Sequence, residues 1–410
     1  MKVLFIVEMD DSMNGGLFVT THNKIKTLLE EFEGYSVDVF CLTVYDGEIL
    51  SFIKKKLYRN VRERQAANLK FEGINYISLY MKETLTRKFL KKFGLDSFYY
   101  REPAARLKAA DYDMVSAHWG NPQGSLAYYL KKHKKIPYSL TLHGSDVHSL
   151  RSNWKKKLVV RNMRQADAVF FVSQQLKKEA EKIGWTDLNS TSHIVYNAVD
   201  TRVFYPYTEK AIKLIKAKYK THTYVVGFVG NLNKVKRADC LIDLFKEIQN
   251  KAKKNITFYI IGEGPLKTNI KESAAQTGLD IRIIGNVPQN KLLEYYNMMN
   301  CCVLPSRNEG FPNVISESQA CGTPIVASKV GGIPEAVADL SLLVSADETH
   351  FIGKFAFKVN KILKSGEKVD IQSQQWRDIV EKEVKVWKNI HTFTKKKSEE
   401  LQNSVEKGRI

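Results

Sequence analysis

Two glutamates, Glu309 and Glu317, stand with seven residues between them in the run Leu304-Pro305-Ser306-Arg307-Asn308-Glu309-Gly310-Phe311-Pro312-Asn313-Val314-Ile315-Ser316-Glu317. The apolar residues before Pro305 read as a strand, and a helix is expected to begin near Phe311. Gly310 allows a ligand close to the backbone. Pro312 suits a first helical turn, where a missing N–H costs nothing. The N–H groups of Phe311, Asn313 and Val314 would then face an anion such as phosphate. Carboxylates accept hydrogen bonds from sugar hydroxyls. Two of them bracketing a phosphate site suit a nucleotide-sugar, with hexose on one side and ribose on the other.

Such a site needs a framework. Segments 2–7, 36–42, 74–79, 113–117, 138–142 and 169–172 read as buried strands alternating with helices, the first helix following Gly15-Gly16 and running to Leu29. Turn formers Asn197, Asp200 and Pro206 mark a hinge over 196–206. The alternation then restarts, with strands at 224–229, 256–261, 281–284, 301–304 and 324–327 and a helix over 236–249. The fold class expected is α/β, with two Rossmann-like domains, residues 1–199 and 200–384, facing across a cleft at the carboxyl ends of their strands. Trp376 and Trp387 lie in helical surroundings. The tail from about 385 to 410 is therefore expected to pack back on the first domain.

Composition narrows the classes. In 410 residues there are five cysteines, Cys41, Cys240, Cys301, Cys302 and Cys321, with no zinc or redox spacing. A reducing cytoplasm follows as the expectation. The apolar start ends at Glu8, too early for a secretory core, and no stretch is long enough to span a bilayer. No G-x-G-x-x-G follows the first strand, which speaks against a nicotinamide enzyme. Net charge is +20, and fifteen Lys/Arg against five Asp/Glu fall between Ser51 and Lys108. There Lys54-Lys55-Lys56, Arg59, Arg62, Arg64, Arg87-Lys88 and Lys91-Lys92, with Phe89, Leu90 and Phe93 between, suggest a basic surface with apolar teeth. An anionic membrane is its expected partner. No nucleic-acid recognition motif accompanies the charge.

The run from Leu304 resembles the retaining glycosyltransferases of family four, whose Glu–seven residues–Glu motif Glu309 and Glu317 match. Its continuation, Cys321-Gly322-Thr323-Pro324-Ile325-Val326-Ala327-Ser328 and Gly331-Gly332-Ile333-Pro334-Glu335, is similar too. So are Phe228-Val229-Gly230-Asn231-Leu232-Asn233-Lys234-Val235-Lys236-Arg237 and Ile261-Gly262-Glu263-Gly264-Pro265. The resemblance implies the two-domain GT-B fold. It places Lys236 on the donor diphosphate, Glu309 on the sugar hydroxyls and Glu317 on the ribose. The segment 283–287, ending at Val287, would meet the nucleobase. Asn231, Gly262, Gly264, Gly310, Phe311, Asn313 and Val314 would complete the donor site, with Gly15 and Gly16 as the glycine loop. Asp113-Met114-Val115-Ser116-Ala117-His118-Trp119 resembles the strand ending in a histidine beside the transferred sugar. Leu140-Thr141-Leu142-His143-Gly144-Ser145-Asp146 resembles the next, making His143 and Asp146 acceptor-side candidates. Arg stands at 237, where the family has Gly, and Asn at 231, where it often has Arg.

The expected activity is retaining transfer of a sugar from a UDP- or GDP-sugar to a saccharide or polyprenyl-linked acceptor, as in bacterial cell-surface polysaccharide synthesis. The expected location is cytoplasmic, at the inner face of the membrane. No cofactor and no metal are expected. Asp111-Tyr112-Asp113, an Asp-x-Asp, precedes its strand and reads as a turn. An epimerase of the same fold and a non-catalytic nucleotide-sugar-binding protein are the alternatives.

Overall fold

Buried runs of β-branched and aromatic residues in the N-terminal half lie side by side as mostly parallel strands, covered on both faces. The computed structural model describes residues 1–8, 16–57, 61–63, 69–95, 97–107, 111–188, 191–346, 349–369 and 374–406. Eight strands form the first sheet: β1 (Lys2–Val7), β2 (Ser36–Asp46), β3 (Leu69–Phe71), β4 (Ile74–Glu83), β5 (Met114–His118), β6 (Tyr138–Leu142), β7 (Ala168–Phe171) and β8 (Ser192–Ile194). Their order is β3-β4-β2-β1-β5-β6-β7-β8, and only β3 runs antiparallel to its neighbour. Val3, Leu4, Phe5 and Ile6 of central β1 are fully buried.

The second sheet is wholly parallel, with β9 (Tyr224–Val229), β10 (Ile256–Ile261), β11 (Asp280–Gly285), β12 (Cys301–Leu304), β13 (Ile325–Ser328) and β14 (Leu343–Val344) in the order β11-β10-β9-β12-β13-β14. In both sheets order reverses beside a central strand, the arrangement that leaves ligand sites at the carboxyl ends of strands.

The chain divides into two compact units, Met1–Tyr196 with Trp376–Ile410, and Asn197–Gln375. The tail joins the first unit from Trp376 rather than from about residue 385. The reason is an apolar stripe at helical spacing, in which Trp376, Ile379, Val380, Val384 and Trp387 are all buried. Trp387 donates from its indole to Ser139 Oγ at 3.0 Å and meets Phe5 edge-on. Beside it Lys24 and Glu383 form a buried ion pair at 2.5 Å.

The basic stretch faces outward only in part: Lys55, Lys56, Arg62 and Lys92 are exposed, while other cations of the run turn inward. Arg59 and Arg64 lie outside the described residues. Arg87 and Lys91 are buried, and Lys91 Nζ lies 2.6 Å from Glu83 Oε2. Asp46 takes Lys54 at 2.5 Å and Arg62 at 2.9 Å. Asp46 and Glu83 are register partners at the ends of β2 and β4. Two neighbouring carboxylates buried there require cations, and the stretch supplies them. No helix among the described residues is long and apolar enough to cross a membrane.

Candidate functional site

In the second unit, β12 ends at Leu304 and delivers Ser306 and Glu309 into the loop that follows. The next helix is Asn313–Ala320, beginning two residues past Phe311. Phe311 precedes Pro312, which disfavours helical backbone, and Pro312 itself caps the helix in an extended conformation (φ −79°, ψ 119°). The Phe311 N–H is thus not part of the first turn, whereas Asn313 and Val314 are. Asn197 bridges the segment, its Nδ2 donating to Phe311 O at 3.1 Å and to Asn313 Oδ1 at 3.0 Å.

Lys236 comes from the loop after β9. Its Nζ donates to Glu309 Oε1 at 2.6 Å, and Ser306 Oγ donates to the same oxygen at 2.6 Å. The Lys236 and Glu309 side chains are 20% and 10% exposed. The loop is shaped by Asn233, whose Oδ1 accepts from Lys236 N (2.9 Å) and whose carbonyl accepts from Ala238 N (3.1 Å). Arg307 clamps it from the other side, forking onto Asp239 at 2.8 and 2.9 Å, while its backbone N–H reaches Val235 O at 2.7 Å. Arg237, where the resembled family has glycine, has left-handed backbone (φ 52°) and lays its guanidinium over Phe351. Asn231 is exposed at the loop's start.

Gly262 and Gly264 face protein, not open space. A Cβ on Gly262 would lie 2.1 Å from Gly230 O, and one on Gly264 would lie 2.6 Å from Leu232 O. Leu232 N donates to Glu263 O at 2.8 Å, so this turn is the bed on which the Lys236 loop rests. Gly331 does the same for Glu309: a Cβ there would meet Glu309 O at 2.0 Å, and Gly332 N donates to that oxygen. Gly310 is buried, and Val287 is half-buried in the loop after β11. Glu317 lies within its helix, buried, and accepts from Tyr296 Oη at 2.8 Å. Burial pushes its carboxyl up to about 7, against the opposing effect of the Tyr296 bond.

In the first unit, His118 at the end of β5 and His143 just after β6 meet, with Nδ1 of one 3.1 Å from Nε2 of the other. His118 is fully buried, stacked on Phe5 and His143, with Ser116 Oγ 3.4 Å from its Nε2. Of the two rings His118 is thus the enclosed one and His143 the more accessible. His143 is half-buried and stacks on Trp119. Burial, then the Lys24 charge, pushes His143 down to about 3, and burial holds His118 well below the usual histidine range. Both rings are neutral at pH 7. One ring's N–H donates to the other's bare nitrogen.

Asp146 is not an acceptor contact in this arrangement. It is buried and accepts from Gly120 N, His143 N and Gly144 N at 3.1, 3.1 and 2.8 Å, holding the His143 turn. Burial pushes its carboxyl up to about 6 against those bonds. Gly16 opens the helix Gly16–Glu31 and is exposed, while Gly15 lies outside the described residues. Asp113 ties the start of β1, accepting from Lys2 N at 2.7 Å, at the end of the sheet away from His118. Among the described residues, no group of three or more His, Cys, Asp or Glu could hold a metal ion.

Ser306, Asn233, Arg307 and Tyr296 were not singled out from sequence, and Asn197 only as a hinge residue. Ser306, one residue past a strand end and three before Glu309, carried a local signal. Asn233 acts within its own loop, and Arg307, Asn197 and Tyr296 act across the fold.

The family model described as Glycosyltransferase Family 4 matches residues 14–203, and that described as Glycosyl transferases group 1 matches 210–378. An uncharacterized glycosyltransferase of Methanocaldococcus jannaschii is 26% identical over 328 residues, 79% of this chain and 78% of that protein. The N-acetyl-alpha-D-glucosaminyl L-malate synthase of Bacillus anthracis is 26% identical over 256 residues, 61% of this chain and 65% of its own length. Among solved structures, sucrose-phosphate synthase from Thermosynechococcus elongatus superposes with TM-score 0.68 at 16% identity, covering 96% of this chain and 99% of the other. Anabaena HepE in complex with UDP-glucose gives 0.65 at 16% identity, covering 97% of this chain and 100% of the other. With one model over each α/β unit, and with Lys236 and Glu309 meeting in strand-end loops of the second and Glu317 in the helix that follows, the chain belongs to the glycosyltransferases of the two-domain GT-B fold.

Proposed function

We propose that this glycosyltransferase takes a sugar from a UDP- or GDP-sugar, without a metal, and passes it with retention of anomeric configuration to a saccharide or polyprenyl-linked acceptor. The work is assigned to the cytoplasmic side of the membrane, in bacterial cell-surface polysaccharide synthesis. The observation that carries the reading is Lys236 held against Glu309 and Ser306 beside the start of the Asn313–Ala320 helix.

The bond that breaks joins the anomeric carbon to the donor phosphate. Negative charge grows on the departing diphosphate, and Lys236 and the helix N–H groups meet it. In many enzymes preorganised charge of this kind lowers the barrier more than any other effect. Glu309 accepts from sugar hydroxyls and Glu317 from the ribose. The acceptor oxygen attacks from the face the diphosphate leaves, and its proton passes to the leaving phosphate oxygen. His143, the half-exposed histidine of the pair, is the acceptor-side candidate. The UDP and UDP-glucose bound by structural neighbours support a nucleotide-sugar donor.

The test has three parts. A panel of UDP- and GDP-sugars should raise the melting temperature for one donor class, since ligand at a hundred times its Kd stabilises by roughly 2.7 kcal/mol. Product NMR with that donor should show the anomeric configuration kept. Turnover should survive excess EDTA. No shift with any donor overturns the donor reading, an inverted product overturns retention, and EDTA loss restored by manganese overturns the metal-free chemistry.

A further inference from the structure

The helix Leu85–Lys92 is inside out. Its cations Arg87 and Lys91, four residues apart, point inward, and its apolar residues Leu85 and Phe89 are exposed. Arg87 reaches the Lys82 carbonyl and packs against the rings of Tyr99 and Tyr100. Phe93, just past the helix, pairs with Phe89 at 5.0 Å, and both rings are over half exposed (63% and 60%). The buried carboxylate of Glu83 imposes this orientation by claiming the cations. What remains for solvent is the aromatic face.

The helix Glu48–Lys56 leaves the neighbouring strand and does the same. Lys54 turns in to Asp46, while Phe52 is exposed with Lys56 Nζ over its ring at 4.7 Å. The two helices start from adjacent strand ends, because β2 and β4 pair through Asp46 and Glu83 and Gly47 N donates to Glu83 O. The turn Ser97–Tyr100, against which Arg87 packs, adds exposed Phe98. Eight of the seventeen exposed large hydrophobic residues among the described ones fall between Ile49 and Phe98, so the apolar exposure is concentrated and not scattered. Exposed Lys55, Lys56 and Lys92 rim it. A concentration of exposed apolar side chains with basic residues beside it marks an interaction surface, and that pairing of chemistries matches an anionic leaflet.

We propose that Phe52, Leu57, Leu85, Phe89, Phe93 and Phe98 form a docking face that inserts into an anionic lipid bilayer, with Lys55, Lys56 and Lys92 on the headgroups. This deepens the reading of a lipid-borne acceptor and rests on it for its purpose, not for its evidence. The buried cations take no part, so binding is led by aromatic insertion and only assisted by charge.

The experiment is co-sedimentation with vesicles of phosphatidylglycerol and phosphatidylethanolamine, against phosphatidylcholine alone, with no donor or acceptor present. It therefore succeeds or fails independently of sugar transfer. Wild type should pellet with both kinds of vesicle, and more completely with the anionic ones. Phe89→Gln with Phe93→Gln should cut partitioning by roughly tenfold or more, while melting temperature and any donor-induced shift stay unchanged. Lys55→Glu with Lys92→Glu should weaken binding less, and the residual binding should lose its salt dependence. Wild type ignoring anionic vesicles at low salt overturns the proposal, as does undiminished binding by the double Gln variant. Concentration-dependent self-association abolished by the same variant, without vesicle binding, would make the face a contact between copies and also overturn it.

Discussion

Lys236 and Glu309 stand 73 residues apart in the chain, yet the ammonium and the carboxylate meet at 2.6 Å, and Ser306 holds the same carboxylate oxygen. The cation assigned to the leaving diphosphate and the carboxylate assigned to the sugar are thereby set in one hydrogen-bonded unit before any donor binds. A largely buried charge held by partners needs little reorganisation when charge develops beside it.

Lys236→Ala should lower kcat by roughly a hundredfold or more, as loss of a charge-stabilising donor does elsewhere. Donor affinity should fall less. Glu309→Gln should act similarly on kcat while melting temperature holds. Steady-state kinetics beside a melting curve checks both, and turnover within a few-fold of wild type would remove the role given to Lys236.

Ser306→Ala removes one of the two donors to Glu309 Oε1 and leaves the ion pair in place. Hydrogen bonds to charged groups are worth about 1.5–3 kcal/mol, so kcat should drop by about tenfold or somewhat more. KM for the donor should change little, because Ser306 acts through Glu309. A change confined to KM would contradict this.

Glu317 gives stability a pH dependence. Its carboxyl lies near 7 in the fold and near 4.5 without it. Between those values the native state keeps a proton that the unfolded chain has lost, so stability falls as pH rises through the window. Glu317→Gln cannot titrate. Its melting temperature should therefore gain on wild type progressively from about pH 5 to about pH 8. A constant difference across that range would show that the carboxyl is ionised throughout.

The Lys24–Glu383 pair fixes the C-terminal helix to the first unit. Glu383→Ala strands a buried ammonium and should cost about 3–5 kcal/mol, whereas Lys24→Met with Glu383→Leu should be near neutral or stabilising. Urea unfolding separates the two. Ending the chain at Gln375 removes Trp387 from between Phe5 and Ser139 and should leave the first unit unable to fold stably.

Much of the fold was legible because strand periodicity is local. Lys2–Val7, Tyr138–Leu142, Tyr224–Val229, Ile256–Ile261 and Cys301–Leu304 run as the residue pattern predicts. The short edge strands Leu69–Phe71 and Ser192–Ile194 carry too few apolar residues to announce themselves. Glu309 and Lys236 were visible as residues of strand-end loops and Glu317 as one in the helix after Glu309, since a strand, a glycine and a proline-capped helix follow one another in sequence.

What the sequence alone determined, then, is the alternation of elements and which chemical groups stand at strand ends, because both follow from neighbours in the chain. Only tertiary structure decided where each group faces. His118 and His143 look equivalent in sequence, but the packing of β5 beside β1 seals the first and leaves the second half open. Asp146 looks like a site carboxylate until its three backbone donors appear. The basic stretch looks uniformly solvent-facing in sequence, yet the buried Glu83 turns Arg87 and Lys91 inward while Lys55, Lys56 and Lys92 stay exposed. Burial of a charge is set by partners distant in sequence, and the cost of leaving a buried carboxylate unpaired outweighs the local preference of a lysine or arginine for water.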